Sequence, residues 1–471
     1  MVVEEAAPEG YAVVKYLGKR YKVRLAKPTT AKSLLKAISK NYLRNTNPAT
    51  LVLHTEFETT LGRDDLVHPG WTLRCTPAPP APRPDAGAPR PPSRLDRCKP
   101  CGDEAEGAKK DDGGDDDPLS SVPVYYARRR RFRRGEAGAA AHFQKLGYVV
   151  FAAALDGAEA ATCLDKLWTF LEKVGPGLDR RDPSTWADAW PPGVGGAGIL
   201  SMFGMGQCES KWFARTRPRV RECFAELWRA MAHPRADPRD LDTPGGLCVS
   251  LDGGCAWRPG LKGQKGWQHV DQNPLLKPGF ECIQGLVSLT RTSKATGGNL
   301  LVERSHADVF PKLLDLYPEQ VRSRDGDDFF SLPRAAARRD GLLGGDGGGR
   351  HVVVHLEAGD LLCWDSRTVH CSWPGDGLLD EPGAPPAKAD QLPTDRLARA
   401  ALYVSFTPRS LVPPDVAAKR RQAVADGATT THWASVCRRR DIVPKDMSDY
   451  ERSRFRAQPT PPLSPEALML I

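Results

Sequence analysis

From Pro77 to Pro92 the chain is dense in proline, and Asp111 to Asp117 adds glycine to a run of aspartates. Neither stretch offers enough apolar surface to offset the entropy of ordering it, so no core can run through this region. It reads as an exposed linker that divides the 471 residues in two. The part beyond it, about 300 residues, is long enough to bury a substantial core. The expected organisation is a first domain at 8–75, a linker with a basic run at 76–138, a large domain at 139–440 and a C-terminal tail at 441–471. The final Pro459-Thr-Pro-Pro-Leu-Ser-Pro465 stretch reads as an exposed tail.

In the first domain, Tyr11 to Leu25 reads as two short strands around Leu17-Gly18-Lys19, and Ala31 to Ile38 as a helix. Leu51-Val-Leu53 reads as another strand, and Leu66 to Leu73 as a turn into a last one. This ββαββ order resembles a ubiquitin-like β-grasp domain, which implies a protein partner. No diglycine closes the segment, so conjugation as a modifier is not expected.

The large domain carries Gln268-His269-Val270-Asp271 and, 370 − 269 = 101 positions after the first histidine, His370. In a strand, residues i and i+2 point to one side, so His269 and Asp271 can converge on one ion while Val270 faces away. Gly359-Asp-Leu-Leu-Cys-Trp-Asp365 reads as a turn and a short buried strand that leads to His370, which a neighbouring strand could bring across. Two imidazoles and one carboxylate occupy one face of an octahedral metal and leave the other face open, the arrangement of iron(II) oxygenases. A zinc hydrolase fits less well, since no glutamate base of the H-E-x-x-H type is present.

Around these residues lie Thr290-Arg-Thr-Ser-Lys-Ala-Thr-Gly-Gly-Asn-Leu-Leu-Val-Glu-Arg-Ser-His306, His370-Cys-Ser372 and Arg399-Ala-Ala-Leu-Tyr-Val-Ser-Phe406. In that order, Leu146 to Arg409 resembles the phytanoyl-CoA dioxygenase-like family of iron(II)/2-oxoglutarate oxygenases. The resemblance implies a mainly β fold: a double-stranded β-helix (jelly-roll, cupin-like) core with flanking helices. It also implies a hydroxylase that uses Fe(2+), 2-oxoglutarate and O2, with ascorbate as a reductant, on a small-molecule or lipid substrate. Under it His269, Asp271 and His370 hold the metal, and Arg399 and Ser372 hold the far carboxylate of 2-oxoglutarate, with Arg396 as the alternative to Arg399. A guanidinium suits that task, because it stays charged when buried and pairs bidentately. A Gly/Pro-rich insertion from Pro374 to Asp395 precedes Arg399.

Glu281 to Thr290, His351 to Leu356 and Ala400 to Phe406 read as strands, with Gly297-Gly298 as a tight turn. Ala158 to Val174 has helical spacing of apolar residues and is closed by Gly175-Pro176. Ser305-His306 reads as the cap of a following helix, with His306 structural or substrate-lining. Trp186, Trp190, Phe203 and Trp212 read as core more readily than as a pocket cover, and Gln264 to Gln268 as an entrance lining. His432 is expected to pack or to line a pocket, not to be a ligand.

The net charge of +9 is modest, and its basic residues cluster at Arg128 to Arg134 and Arg438 to Arg440. Such runs read as solvated charge blocks, or as contacts for nucleic acid, acidic protein or anionic lipid. Twelve cysteines in so long a chain are not a disulfide scaffold, and no apolar run suggests a membrane span. An intracellular protein, cytoplasmic or nuclear, is expected, with Cys98-Lys-Pro-Cys101 too isolated for a zinc site. The alternative to an oxygenase is a catalytically silent scaffold of the same fold.

Overall fold

The computed structural model describes strands between Tyr11 and Pro77, residues 124–127, and residues 130–471 apart from 195–197, 262, 264, 324–326, 344–348 and 376–395. The Ala31 to Ile38 helix, the Cys98-Cys101 pair and nearly all of the Pro374 to Asp395 insertion lie outside these residues. The chain divides into two units, Met1–Pro91 and Pro92–Ile471.

In the first unit, strands Tyr11–Tyr16 and Lys19–Arg24 pair antiparallel, and Tyr11–Tyr16 runs parallel to Thr72–Pro77. Leu51–Thr55 completes a sheet with Thr72–Pro77 and Tyr11–Tyr16 at its centre.

The second unit is built on two sheets. The larger runs, edge to edge, Ile199–Leu200, Gly254–Trp257, Arg399–Tyr403, Ile283–Ser288, Leu361–Asp365, Tyr148–Phe151 and Arg131–Phe132. The smaller runs Phe330–Ser331, His269–Val270, His370–Trp373, Gly298–Val302, His351–Val354 and Val124–Ala127. Val124–Ala127 and Arg131–Phe132 lie within the segment expected to be linker, yet both pair into these sheets.

Helices cover the sheets. Gly157–Val174 begins in a capping box, in which the Asp156 side chain accepts from Glu159 N while the Glu159 carboxylate accepts from Asp156 N, and it buries Leu167, Trp168, Leu171 and Val174. Pro218–Met231 packs Phe224 against Gly285, where a Cβ would lie 2.8 Å from the ring, and Trp228 Nε1 donates to Phe406 O at 2.7 Å. Trp186 and Trp190 pack on Trp168 and belong to this core, as do Phe203 and Trp212. A second apolar cluster, with Val309, Phe310, Leu313, Val321 and Ala337, backs the smaller sheet.

The expected mainly β fold with a closed double-stranded β-helix is corrected by this architecture. Among the described residues helix outweighs strand, and the sheets are open: each has its own two edges, and no ladder passes from one to the other. Apolar alternation reveals strands one at a time. Whether they close into a barrel is decided by pairing at the edges, which no local pattern carries.

None of residues 459–465 is buried, but the C-terminal residues on either side of them are core. Met447, Phe455, Ala467, Leu470 and Ile471 are buried, and Val249 N donates to Leu470 O at 3.0 Å. The fully buried Arg420 donates to the carbonyls of Val249, Ala434, Leu470 and Ile471. The helix Ser305–Asp308 contains His306, and Ser305 is not its cap: Arg304 holds the N-cap position in the left-handed region (φ 66°), and the Ser305 hydroxyl donates to Val302 O at 2.7 Å.

Candidate metal centre

His269 and His370 stand directly opposite each other on adjacent antiparallel strands. The strand ends at Val270, whose side chain is fully buried on the other side, so Asp271 turns back toward both histidines. Its backbone N–H donates to Ser366 O at 3.1 Å. Donor atoms of His269, Asp271 and His370 all lie within 4.8 Å of one another and could hold a metal ion. His269 Nε2 is 3.7 Å from Asp271 Oδ1, and His370 Nε2 is 3.4 Å from Asp271 Oδ2.

Each imidazole is oriented through its other nitrogen. His269 Nδ1 sits 3.0 Å from Trp267 O and His370 Nδ1 2.8 Å from Thr368 O; a proton on each Nδ1, donated to the carbonyl, leaves Nε2 as the free donor atom. The Trp267 ring stacks on His269 at 4.8 Å with the planes 11° apart, and Phe329 also lies 4.8 Å from it. Gln284 Nε2 donates to Asp271 Oδ2 at 2.7 Å, which fixes the carboxylate from the larger sheet. The centre therefore lies where inner faces of the two sheets meet.

The electrostatics suit cation binding. Burial works to raise the Asp271 carboxyl, but the charge and hydrogen bond of His269, the hydrogen bond of His370 and the charge of His432 outweigh it and hold the group well below the usual carboxylate range. Burial, with the nearby His269, pushes the His370 imidazole down and favours the neutral form that ligates.

Arg399, 2% exposed, reaches across from the larger sheet: its Nη1 donates to Gly298 O at 2.8 Å and to Ser372 Oγ at 3.0 Å. Among the described residues it has no carboxylate partner, and its Nε is buried without an acceptor. A buried guanidinium without an anion is costly, and a carboxylate placed beside Ser372 satisfies it. The residues present thus fit both a metal and a carboxylate-bearing cosubstrate. Arg396 is exposed. His306 lies away from the triad, its Nε2 3.0 Å from Gln144 O.

Sequence reasoning missed two contributors. Gln284 had a signal, a lone amide in an otherwise buried apolar strand; Phe329 had none. His432, expected to pack or to line a pocket without ligating, lies with its Nδ1 4.0 Å from Asp271 Oδ2 and outside the donor set. Trp267 stacks on the ligand His269, and Gln268 is buried. Of the basic runs, Arg130, Arg131 and Arg134 pair with Glu136, Asp360 and Glu222, and Arg438 and Arg439 with Asp327 and Asp426. The nine cysteines between Cys163 and Cys437 are buried, and no described helix is long and apolar enough to cross a membrane.

The two histidines, the carboxylate and the buried arginine make this an oxygenase-type metal site. No protein-family model matches the chain. Among solved structures, the non-heme alpha ketoglutarate dependent carbocyclase SnoK from nogalamycin biosynthesis is similar at 14% identity, over 59% of this chain and 87% of that one, with a TM-score of 0.34. The epimerase SnoN, solved in complex with Fe3+, alpha ketoglutarate and nogalamycin RO, is similar at 17% identity, over 57% and 82%, with a TM-score of 0.33. In sequence, 243 residues are 31% identical to Ava biosynthesis cluster protein O of Aspergillus versicolor, spanning 50% of this chain and 72% of that protein. The chain belongs to the family of Ava biosynthesis cluster protein O.

Proposed function

We propose that the protein is an iron(II)- and 2-oxoglutarate-dependent dioxygenase that hydroxylates a small organic molecule and releases succinate and carbon dioxide. The observation that carries this reading is the pairing of the His269, Asp271 and His370 donor set with a buried, anion-free Arg399 beside Ser372. Iron with 2-oxoglutarate and oxygen supplies the oxidising power. The chain's own residues do the rest. His269 and His370 would present their Nε2 atoms to the metal, Asp271 would balance its charge, and Gln284 keeps the carboxylate from rotating. Arg399 and Ser372 bind the distal carboxylate of 2-oxoglutarate and so set the direction from which its other end approaches the metal. Trp267, Phe329 and Trp364 pack around the imidazoles and limit water at the centre. The affiliation with a biosynthesis-cluster protein supports a small metabolite over a macromolecular substrate.

Anaerobic protein loaded with iron(II) is expected to form succinate from 2-oxoglutarate when oxygen is admitted, and His269→Ala is expected to lose both bound iron and turnover. Failure of the unaltered protein to bind either iron or 2-oxoglutarate would count against an oxygenase and for a silent scaffold.

The N-terminal unit is read as a ubiquitin-like β-grasp module that binds a protein. The observation behind this is its mixed sheet, in which the first strand runs parallel to the last at the centre. Deleting residues 1–91 is expected to leave iron and 2-oxoglutarate affinities unchanged; a tenfold loss of either would tie this unit to the site instead.

A further inference from the structure

We propose that His432 is a second polar wall of the metal centre, which hydrogen-bonds a small ligand entering the open side of the metal position next to Asp271. The inference rests on the oxygenase reading and goes beyond the ligand set and the cosubstrate clamp.

Its position carries the argument first. His432 Nδ1 lies 4.0 Å from Asp271 Oδ2, too far for a hydrogen bond to the carboxylate and close enough to border whatever shares that coordination edge. His432 is not among the three residues whose donor atoms gather within 4.8 Å, so it flanks the ligand set instead of joining it. Among the described histidines outside the triad, it is the one set against a triad carboxylate.

The second observation is an unmet valence. The side chain is 15% exposed, and Nε2 is buried with no partner among the described residues. A buried imidazole nitrogen left unsatisfied costs about 1–3 kcal/mol, a cost that a bound molecule or water removes.

The third is rigidity, because a wall can select only if it is held. His432 is carried on a pinned turn: Thr430 bridges to Arg439, Thr431 N donates to Arg438 O at 2.9 Å, and Arg440 N donates to Thr429 O at 2.8 Å. Thr430 N donates to Leu251 O at 2.9 Å and ties the turn to the body. The neighbouring Trp433 donates its Nε1 to Asp271 O at 3.2 Å and lies under Lys277 Nζ, 4.2 Å from the ring centre. Lys277 Nζ is itself held by both Asp328 oxygens at 2.6 Å. The turn bearing His432 and the loop following Asp271 are thus locked to one another, and the imidazole keeps its place when the metal is bound.

The test uses the full chain and four proteins: unaltered, His432→Phe, which keeps ring bulk but removes hydrogen bonding, His432→Gln, which restores it, and His269→Ala. Iron(II) and 2-oxoglutarate affinities are measured anaerobically, and nitric oxide serves as the small-ligand probe, followed by titration and by electron paramagnetic resonance of its iron adduct. The expected result is iron and 2-oxoglutarate affinities within twofold of the unaltered protein for both His432 variants. Nitric oxide affinity falls about three- to tenfold in His432→Phe, the adduct spectrum changes, and His432→Gln restores both. Loss of iron by His432→Phe comparable to that of His269→Ala would make the residue a ligand and overturn the inference. So would an unchanged nitric oxide affinity and spectrum in His432→Phe. If the unaltered protein binds no iron, it is the oxygenase reading that falls, and this inference with it.

Discussion

At the scale of single residues, two buried bases behave in opposite ways. Arg399 is a permanent charge kept in the interior with only neutral oxygen partners, Gly298 O and Ser372 Oγ. Arg399→Met is expected to raise the dissociation constant of 2-oxoglutarate by about 100-fold, the loss of a charge-assisted pair of about 2–3 kcal/mol, with iron affinity retained. Anaerobic calorimetry checks this, and a change below threefold would remove Arg399 from the cosubstrate site. His351, by contrast, is 1% exposed with neither ring nitrogen partnered, and burial alone pushes its imidazole down to about 4. The unfolded chain, near 6.5 at this group, then takes up more protons than the folded one between pH 4 and pH 6.5. Stability from this residue is complete above that window and is lost as pH falls through it. The loss between pH 7 and pH 5 is about 2 kcal/mol, and His351→Leu should remove that part of the acid sensitivity in urea titrations at the two pH values.

At the scale of elements, the turn before strand Gly298–Val302 couples stability to the site. Gly297 has φ 76°, and a Cβ there would collide with the carbonyl oxygen of Trp373 on the adjacent strand. The next residue, Gly298, supplies the carbonyl that holds Arg399 Nη1. Gly297→Ala is therefore expected to cost at least about 1–2 kcal/mol of stability and to weaken 2-oxoglutarate binding by displacing that carbonyl. Thermal unfolding and a cosubstrate titration check the two halves; a lower melting temperature with unaltered cosubstrate affinity would break the coupling. The Gly157–Val174 helix offers a contrast. Its apolar stripe and terminating glycine were both visible in sequence, because each is a local property.

At the scale of the whole molecule, the C-terminal segment closes the larger unit. Arg420 satisfies its buried charge on four backbone carbonyls, two of them in residues 470 and 471, and Gln458 N donates to Phe203 O at 2.8 Å. Removing residues 459–471 strips Arg420 of two acceptors and uncovers Val249. Such a truncation should lower stability by several kcal/mol, on the order of 3–5, and reduce soluble yield. A truncated protein with the same denaturation midpoint as the full chain would sink this view. The basic runs gain meaning only at this scale: in sequence they read as exposed blocks, whereas in the fold Arg131 reaches the fully buried Asp360 and Arg438 reaches Asp327.

The sequence by itself determined the division of the chain at its proline-rich stretch, most strand and helix positions, and the type and spacing of the residues at the centre. These follow from composition, short-period alternation and donor chemistry, all of which act over a few positions. Only the tertiary structure decided that the sheets stay open, that two strands before residue 139 complete them, that Arg399 and not Arg396 is buried, and that the C-terminal residues are core. It also decided that Gln284, Phe329 and His432 surround the triad. The reason is physical: edge pairing, burial of a charge and second contacts to a ligand are set by residues up to hundreds of positions apart, and no local period records them.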